Sequence, residues 1–326
     1  MGQYLQQVLI QDESVTASTT RSDDLPVNPL SVIMVTLKLL NNTGTITDYT
    51  AVTALFSFIT KIEVLFQGSA IVSGSLADLA RVNGFLLGRG PRQGNMINTD
   101  NGARFLSVPI LLGRRPFWMK ECFPAVRRGE LKLQTTFGTL TTGTDTPVLQ
   151  VETVELLGAT PSHYLKYTTI SKTPSATGEH EVDLPIGNLL AAVGLFGTTV
   201  PSGTSYNASI GQVKLLLDNV EAYVSRSNWE SLNGLTSLRS QGTMQNSSHF
   251  HLENVAAAYG QFADTDDNES AADFFEQYAF IDLDPNLDDA YLLDTKGRAR
   301  IHLNINADAA DAIRVIPVEL VAVAGG

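Results

Sequence analysis

The feature of this sequence that most constrains its fold is an internal duplication. Residues 148–159 and 315–326 have the same spacing of Val, Glu and Gly, which aligns Val148, Val151, Glu152, Val154 and Gly158 with Val315, Val318, Glu319, Val321 and Gly325. A glycine followed by an alternating strand precedes each segment, at 129–137 and at 297–305. A repeat of roughly half the chain predicts two domains of one fold.

A third match lies earlier in each half, in the same order. Strand-like residues 62–66 and 213–217 lead, through a second short strand, to helix-like segments that reach Asn83-Gly84 and Asn233-Gly234. Asn-Gly is a favourable pair just after a helix, so both helices are predicted to stop there. Three matches in one order favour duplication over the chance similarity of alternating strands.

Strand patterns dominate both halves, and helical patterns are confined to 76–82, 228–238 and 271–275. Evenly spaced strands with few helices are typical of antiparallel sandwiches, and about 160 residues accommodate a jelly roll of eight strands. We therefore predict an all-β chain of two tandem eight-stranded antiparallel jelly rolls with short helices in the loops. The predicted domains are 1–160 and 161–326, with the seam at 158–162.

Charge is unevenly distributed over the two halves. Before His163 there are 13 Lys and Arg and 13 Asp and Glu, whereas after it there are 9 and 21, so the second half carries the net charge of −12. The first half contains a basic stretch from Arg81 to Arg128. We interpret this asymmetry as complementary faces between domains or subunits, because nucleic-acid binding calls for a denser basic face with stacking aromatic side chains.

The single cysteine and the N-terminus indicate the compartment. One cysteine, Cys122, excludes an intrachain disulfide and is predicted to be a small core or interface residue. The first residues lack the basic and apolar regions of a signal peptide, and the longest apolar run, near 189–196, is too short to span a bilayer. We expect a soluble chain that folds in a reducing cytosol.

No motif for nucleophilic, phosphate-binding or zinc-protease chemistry is present, so no catalytic, cofactor-binding or metal-binding residue is assigned. His249, His251 and Glu253 alternate along one predicted strand face, as a facial metal triad requires. Cupins use a similar His-x-His pattern with a longer gap to the Glu and a further His, whereas His302 lies far along this chain. A polar strand face is therefore favoured over a metal site.

Two acidic loops resemble the start of a calcium-binding loop. They are Asp264–Asn268 and Asp282–Asp288, and both lack the glycine at the sixth position and the glutamate at the twelfth. Calcium binding and a solvated acidic loop both stay open, the second being favoured.

One further segment resembles a processing signal. Residues 62–69 match a picornaviral protease site used in expression tags. After Ile62 they read Glu-Val-Leu-Phe-Gln-Gly-Ser. We predict a strand here that makes the folded chain resistant to that protease.

The chain has two predicted jelly rolls. Each contains a glycine followed by a strand, at Gly129 and Gly297, and a closing strand, at Val148 and Val315. In these features the chain resembles the double jelly-roll major capsid proteins of icosahedral viruses with an internal membrane, and the bacteriophage branch most closely. The resemblance implies a structural protein, not an enzyme, that forms pseudo-hexagonal trimeric capsomers of a virion shell assembled in the host cytoplasm, without a cofactor.

The resemblance also implies partners: a homotrimer, neighbouring capsomers and minor capsid proteins, and a position near an internal viral membrane, with no sequence-specific nucleic-acid binding. Residues 1–10 are too polar to enter lipid, so we expect them to contact neighbours. If charge holds the trimer together, reversing Arg114 and Arg115 should weaken it. The alternatives are a cupin-like metal-dependent enzyme, a hydrolase built on paired jelly rolls, or a glycan-binding β-sandwich.

Overall fold

The computed structural model describes residues 2–44, 55–97, 99–201, 205–239, 251–253, 274–275 and 277–323, with the side chains of 95–97 and 251–253 excepted. These residues form two compact units. The described part of the first contains residues up to Tyr164 together with 251–253 and Phe274, and that of the second contains 165–239 and 275–323. The division at 160 and 161 inferred from the sequence remains a prediction.

The first unit consists of two antiparallel sheets. Its elements are β1 (Gln3–Ser14), β2 (Thr20–Asp24), β3 (Leu30–Asn41), β4 (Ile59–Phe66), β5 (Ser69–Gly74), α1 (Leu76–Leu87), β6 (Arg92–Ile97), β7 (Ala103–Leu111), β8 (Leu131–Phe137) and β9 (Thr144–Leu157). One sheet has the order β1-β9-β3-β7-β6, and in the other β2, β8, β4 and β5 lie side by side.

The remaining elements follow in chain order. They are β10 (His163–Thr168), β11 (Ile170–Lys172), β12 (Gly178–Asp183), β13 (Leu189–Gly197), β14 (Gln212–Leu217), β15 (Val220–Glu221), β16 (Ser227–Asn228), α2 (Trp229–Arg239), β17 (His251–Glu253), β18 (Tyr278–Asp282), β19 (Leu293–Asp294), β20 (Ile301–Ala307) and β21 (Ile313–Ala322). In the second unit the sheets are β10-β21-β13-β18 and β12-β20-β14-β15, while β17 extends the first unit's sheet beside β6.

Both units have the strand order of a jelly roll. When the eight principal strands of each are numbered along the chain, one sheet has the order first, eighth, third, sixth and the other has second, seventh, fourth, fifth. In the second unit, apolar side chains from both sheets, including Val182, Val193, Leu215, Leu303 and Val315, form one buried core. The predicted fold class, two jelly rolls in tandem, is confirmed.

The structural equivalence of the closing strands differs from the sequence alignment by three residues. Leu30 pairs with Glu155 on β9, and Leu190 pairs with Glu319 on β21, each just before a break in register. Glu319 therefore corresponds to Glu155, not to Glu152. The alignment was wrong because both strands are rich in Val and Leu, so several registers give matching letters.

Both helices run past the Asn-Gly pairs, the second in agreement with the helical pattern at 228–238. α1 begins after Ser75, whose side chain accepts a hydrogen bond from the backbone N–H of Asp78, and ends at Gly88 with a φ of 67°. α2 continues to Arg239. Asn83-Gly84 and Asn233-Gly234 thus lie inside helices, and the predicted stop at these pairs is wrong.

The two asparagines instead connect each helix to the next principal strand. The backbone N–H of Leu111, at the end of β7, donates to Asn83 Oδ1 at 2.9 Å. The amide of Asn233 donates to the carbonyl oxygens of Phe275 and Tyr278, both at 2.9 Å, where β18 begins. The repeated asparagine was recognised correctly in the sequence, but it forms a tertiary contact and does not end the helix.

Candidate functional site: the outer sheet faces

The histidines singled out in the sequence are not gathered into a described site. His249 lies outside the described residues, and for His251 and Glu253 the structure describes only backbone, in β17, which pairs in parallel with β6. His302 is buried on β20, with its Nε2 3.8 Å from Glu181 Oε1. Among the described residues there is no group of three or more His, Cys, Asp or Glu that could hold a metal ion.

In the acidic loop after β18, the carboxylates bind protein groups. Asp282 pairs with Arg239 at 2.8 Å and accepts the backbone N–H of Asp284 at 3.0 Å. Asp284 is buried and accepts the backbone N–H of Asp289 at 3.1 Å. These contacts give the two aspartates a role in shaping the loop. The other acidic segment, Asp264–Asn268, lies outside the described residues.

Arg114 cannot serve as a surface charge. It is buried together with Glu121, and its Nε lies 3.0 Å from Glu121 Oε2 while its Nη2 also donates to that carboxylate. Arg115, by contrast, is exposed. Reversing Arg114 would therefore disrupt the interior of the first unit, so the trimer test suggested by the sequence is wrong for that residue.

The outer face of the first unit's larger sheet forms an open groove. On β3, Ile33, Val35 and Leu37 are buried, whereas the alternating residues Met34 and Thr36 are only half-buried, as expected when one face of a strand covers the core. We call the residues on this second side the open face. They enclose a groove of about 880 Å³. They include Val32, Met34, Thr36, Lys38, Phe105, Ser107, Val148, Gln150, Glu152 and Val154.

The outer face of the β12-β20-β14 sheet in the second unit is polar. A smaller pocket of about 190 Å³ there is lined by Glu179, Gln212, Lys214, Arg226, Asn304 and Asn306. Lys214 Nζ is 3.8 Å from Glu179, and Gln212 donates to Asn228 at 3.0 Å. Next to the pocket, Arg300 pairs with Asp183 and Glu181 at 2.6 and 2.8 Å. These charges and amides are largely paired within the sheet.

A pair of equivalent buried glutamates was not recognised from the sequence. Glu155 accepts a hydrogen bond from Asn28 at 2.7 Å, and Glu319 accepts one from Asn188 at 2.6 Å. Glu319 is also paired with Lys166 at 2.9 Å. Each asparagine precedes the third principal strand, so the contact connects the beginning of that strand to the last one. The sequence signal that could have identified these contacts is an Asn two residues before a Leu, which occurs at Asn28 and Leu30 and again at Asn188 and Leu190.

Cys122 is a buried residue, as predicted. It lies in a small apolar cluster with Leu156 and Ala159. Burial raises the pKa of its thiol to about 11. A thiol that remains protonated at neutral pH is a weak nucleophile.

Comparison of the sequence with known proteins finds no relative. No family profile matches the chain. No curated protein matches it either.

Comparison of the structure does find similar proteins. The STIV MCP matches with a TM-score of 0.68 and 14% identity, over 98% of this chain and 97% of that one. The major capsid protein P2 from bacteriophage PM2 matches with a TM-score of 0.62 and 13% identity, over 100% and 99%. The Faustovirus major capsid protein matches with a TM-score of 0.58 and 8% identity, over 98% and 90%. The chain therefore has the same double jelly-roll fold along its whole length.

Proposed function

We propose that this chain is the major capsid protein of an icosahedral virus with an internal membrane. Three copies form a pseudo-hexagonal capsomer, and capsomers tile the virion shell. The observation that carries the proposal is the strand-for-strand duplication of a jelly roll over the whole chain. Two similar units in one polypeptide supply two of six similar sides, so a trimer has the outline of a hexagon.

The structural neighbours support this proposal because their similarity to this chain extends over almost the whole of each protein. The MCP of STIV and the P2 protein of PM2 are each covered almost completely, so the likeness includes both jelly rolls and not a single common domain. A single β-sandwich hosts many functions, and fold alone is a weak guide to activity. A duplicated jelly roll that fills the whole chain is a far more restricted architecture.

The chemistry of the described side chains fits a structural role better than catalysis. The buried ionisable groups are used to hold elements together: Arg114 with Glu121, and Glu319 with Lys166. The thiol of Cys122 is buried and has a raised pKa. We therefore propose a protein that acts by assembly, without a cofactor.

The proposed partners are two further copies in the capsomer, neighbouring capsomers and minor capsid proteins. The proposed location is the virion shell, assembled in the host cytoplasm and lying close to an internal membrane. Among the described residues, no helix is both long enough and apolar enough to cross a bilayer.

Mass measurement of the purified chain tests the proposal. One chain has a mass of 35.2 kDa, so a trimer has three times that mass, about 106 kDa. We expect this species in mass photometry at nanomolar concentration, and hexagonal outlines in negative-stain images. A chain that remains monomeric at micromolar concentration would contradict the proposal.

A further inference from the structure

The duplication allows the same sheet face to be compared in the two units. In the first unit, Met34 and Val154 on the open face are only half-buried. The equivalent residues in the second unit are Gly194 and Val318, because Met34 pairs with Glu152 and Gly194 pairs with Ile316 at corresponding register positions. Val318 and Ile316 are both 0% exposed. The face that is fully buried within the chain in the second unit is thus only partly buried in the first.

The charges on the open face are already paired within the first unit. Lys38 lies 2.5 Å from Asp12. Glu152 accepts hydrogen bonds from the side-chain amides of Gln6 and Gln150, both at 2.6 Å. A partner that covers this face would not leave a lone charge without a hydrogen-bond partner, which is the main cost of burying ionic groups at an interface.

The edge strand of the same sheet is also unprotected. Residues 3–11 of β1 contain no charged side chain, and Tyr4, Leu5 and Val8 are 60%, 43% and 48% exposed. Edge strands are normally protected by charge, as β12 is by Glu179, Glu181 and Asp183. β1 pairs with β9 on one side, and no described strand lies at its other edge. A long, uncharged edge next to a largely apolar face is typical of a surface that becomes buried on assembly.

The size of the surface fits a protein partner. Four strands spaced about 4.8 Å apart and roughly 30 Å long present a projected area of roughly 550 Å². Protruding side chains and the β1 edge increase the accessible area, and a stable interface needs about 800 Å² from each partner.

We propose that the open face, together with the edge of β1, is the surface on which a second copy of this chain docks. The inference rests on the proposed function and identifies one side of its subunit interface. Because the proposed capsomer is a trimer, its threefold axis brings the open face of one copy against a different surface of the next copy. The contact is therefore head-to-tail, and a rotation of one third of a turn between copies closes it into a ring of three.

Two single substitutions to cysteine provide the test, with buried Cys122 as a constant background. Val148→Cys places a thiol on the open face, and Asn304→Cys places one on the polar outer face of β20; both residues are half-buried in the single chain. Each variant is assembled, its mass is measured, and its reaction with a bulky maleimide is followed before and after unfolding in urea. We expect trimers of both variants, with position 148 reacting at least ten times more slowly than position 304.

The outcomes separate the two proposals. Trimers in which position 148 reacts as fast as position 304 would overturn the docking surface and leave the capsid proposal intact. A wild-type chain that is monomeric would overturn the capsid proposal itself. As a second variant, Val148→Arg should shift the mass distribution from trimer to monomer while the far-ultraviolet circular dichroism is retained, and Asn304→Arg should remain trimeric. A trimeric Val148→Arg chain would contradict the inference.

Discussion

Arg114 and Glu121 form an ion pair inside the first unit, with side chains that are 1% and 4% exposed. The Nε of Arg114 donates to the carboxylate at 3.0 Å, and the backbone N–H of Arg114 donates to it at 3.2 Å. Both residues lie in the loop between β7 and β8. The basic stretch noticed in the sequence therefore includes a charge that stabilises the interior of one unit.

Removing the arginine should be strongly destabilising. Arg114→Met leaves Glu121 buried without its cation, which costs about 3–5 kcal/mol in comparable pairs. The double variant Arg114→Met with Glu121→Met should recover much of that loss, since no lone charge remains. Urea unfolding followed by tryptophan fluorescence measures both effects.

Arg115→Met is the matched control, because Arg115 is the adjacent arginine and is exposed. We expect it to change the free energy of unfolding by less than about 0.5 kcal/mol. Equal losses for Arg114→Met and Arg115→Met would show that the buried pair contributes nothing specific.

The equivalent asparagine–glutamate contacts should differ in strength between the units. Asn28→Ala removes the hydrogen bond to Glu155 Oε2, and Glu155 Oε1 has no hydrogen-bond partner among the described residues, so the variant should cost about 1–3 kcal/mol. Asn188→Ala should cost less, because Glu319 retains its pair with Lys166 at 2.9 Å. Calorimetric unfolding of both variants gives the comparison, and a larger loss for Asn188→Ala would contradict it.

The sequence predicted the jelly rolls because their signals are local. Gly129 and Gly297 have φ values of 82° and 73°, a left-handed conformation that favours glycine at a turn, and each is followed by an alternating strand. The register was not predictable in the same way. Asn28 and Glu155 are far apart in the chain, and only the pairing of β3 with β9 brings them together.

The open face was equally inaccessible to sequence reasoning. Val148, Met34 and Phe105 have the composition of ordinary core residues, and the alternation of a strand does not say which of its two faces a neighbouring element covers. Whether an apolar face is exposed depends on how the elements of the folded unit pack, and not on the sequence of one strand. The sequence did indicate neighbour contacts for the first ten residues, a prediction that remains untested.

Two glycines at equivalent helix positions should respond oppositely to alanine. A Cβ on Gly84 would lie 2.7 Å from Phe274 Cε1, so Gly84→Ala must displace that ring and should be destabilising by roughly 1–3 kcal/mol. A Cβ on Gly234 meets no atom within 4 Å, so Gly234→Ala should stabilise α2 by about 0.5–1 kcal/mol. Thermal unfolding of the two variants is the measurement. A gain in stability for Gly84→Ala would mean that Phe274 does not pack there.

We expect Cys122 to react slowly with thiol reagents. We also expect the ionisation of its thiol to lower the stability of the folded chain at high pH. Burial raises the pKa of the folded thiol to about 11, above its ordinary value of 9.0. The unfolded thiol therefore ionises first, so this contribution to stability is present below pH 9 and is lost as the pH rises from 9 towards 11. Cys122→Ser should flatten the alkaline fall in melting temperature. An unchanged alkaline profile in that variant would contradict the assignment.

The protease-like segment tests the local structure of a hairpin. Residues 62–66 lie in β4, as predicted, and Gln67-Gly68 forms an exposed two-residue turn with φ values of 50° and 83° before β5. The backbone N–H of Gln67 donates to the carbonyl of Glu130 at 2.8 Å, and its side chain donates to the Glu130 carboxylate at 3.2 Å. Positive φ at both residues is typical of a tight hairpin turn and is incompatible with an extended substrate.

Cleavage between Gln67 and Gly68 therefore requires the hairpin to open first. We expect the native chain to be cut by the cognate protease at least a hundred times more slowly than the urea-unfolded chain, and to be cut faster as urea increases below the unfolding midpoint, because the open population controls the rate. Glu130→Ala removes the side-chain contact to Gln67 and the hydrogen bond from the backbone N–H of Arg127, and it should raise the native rate by a fewfold. Native cleavage as fast as that of a free peptide would mean that β4 and β5 do not form a stable hairpin.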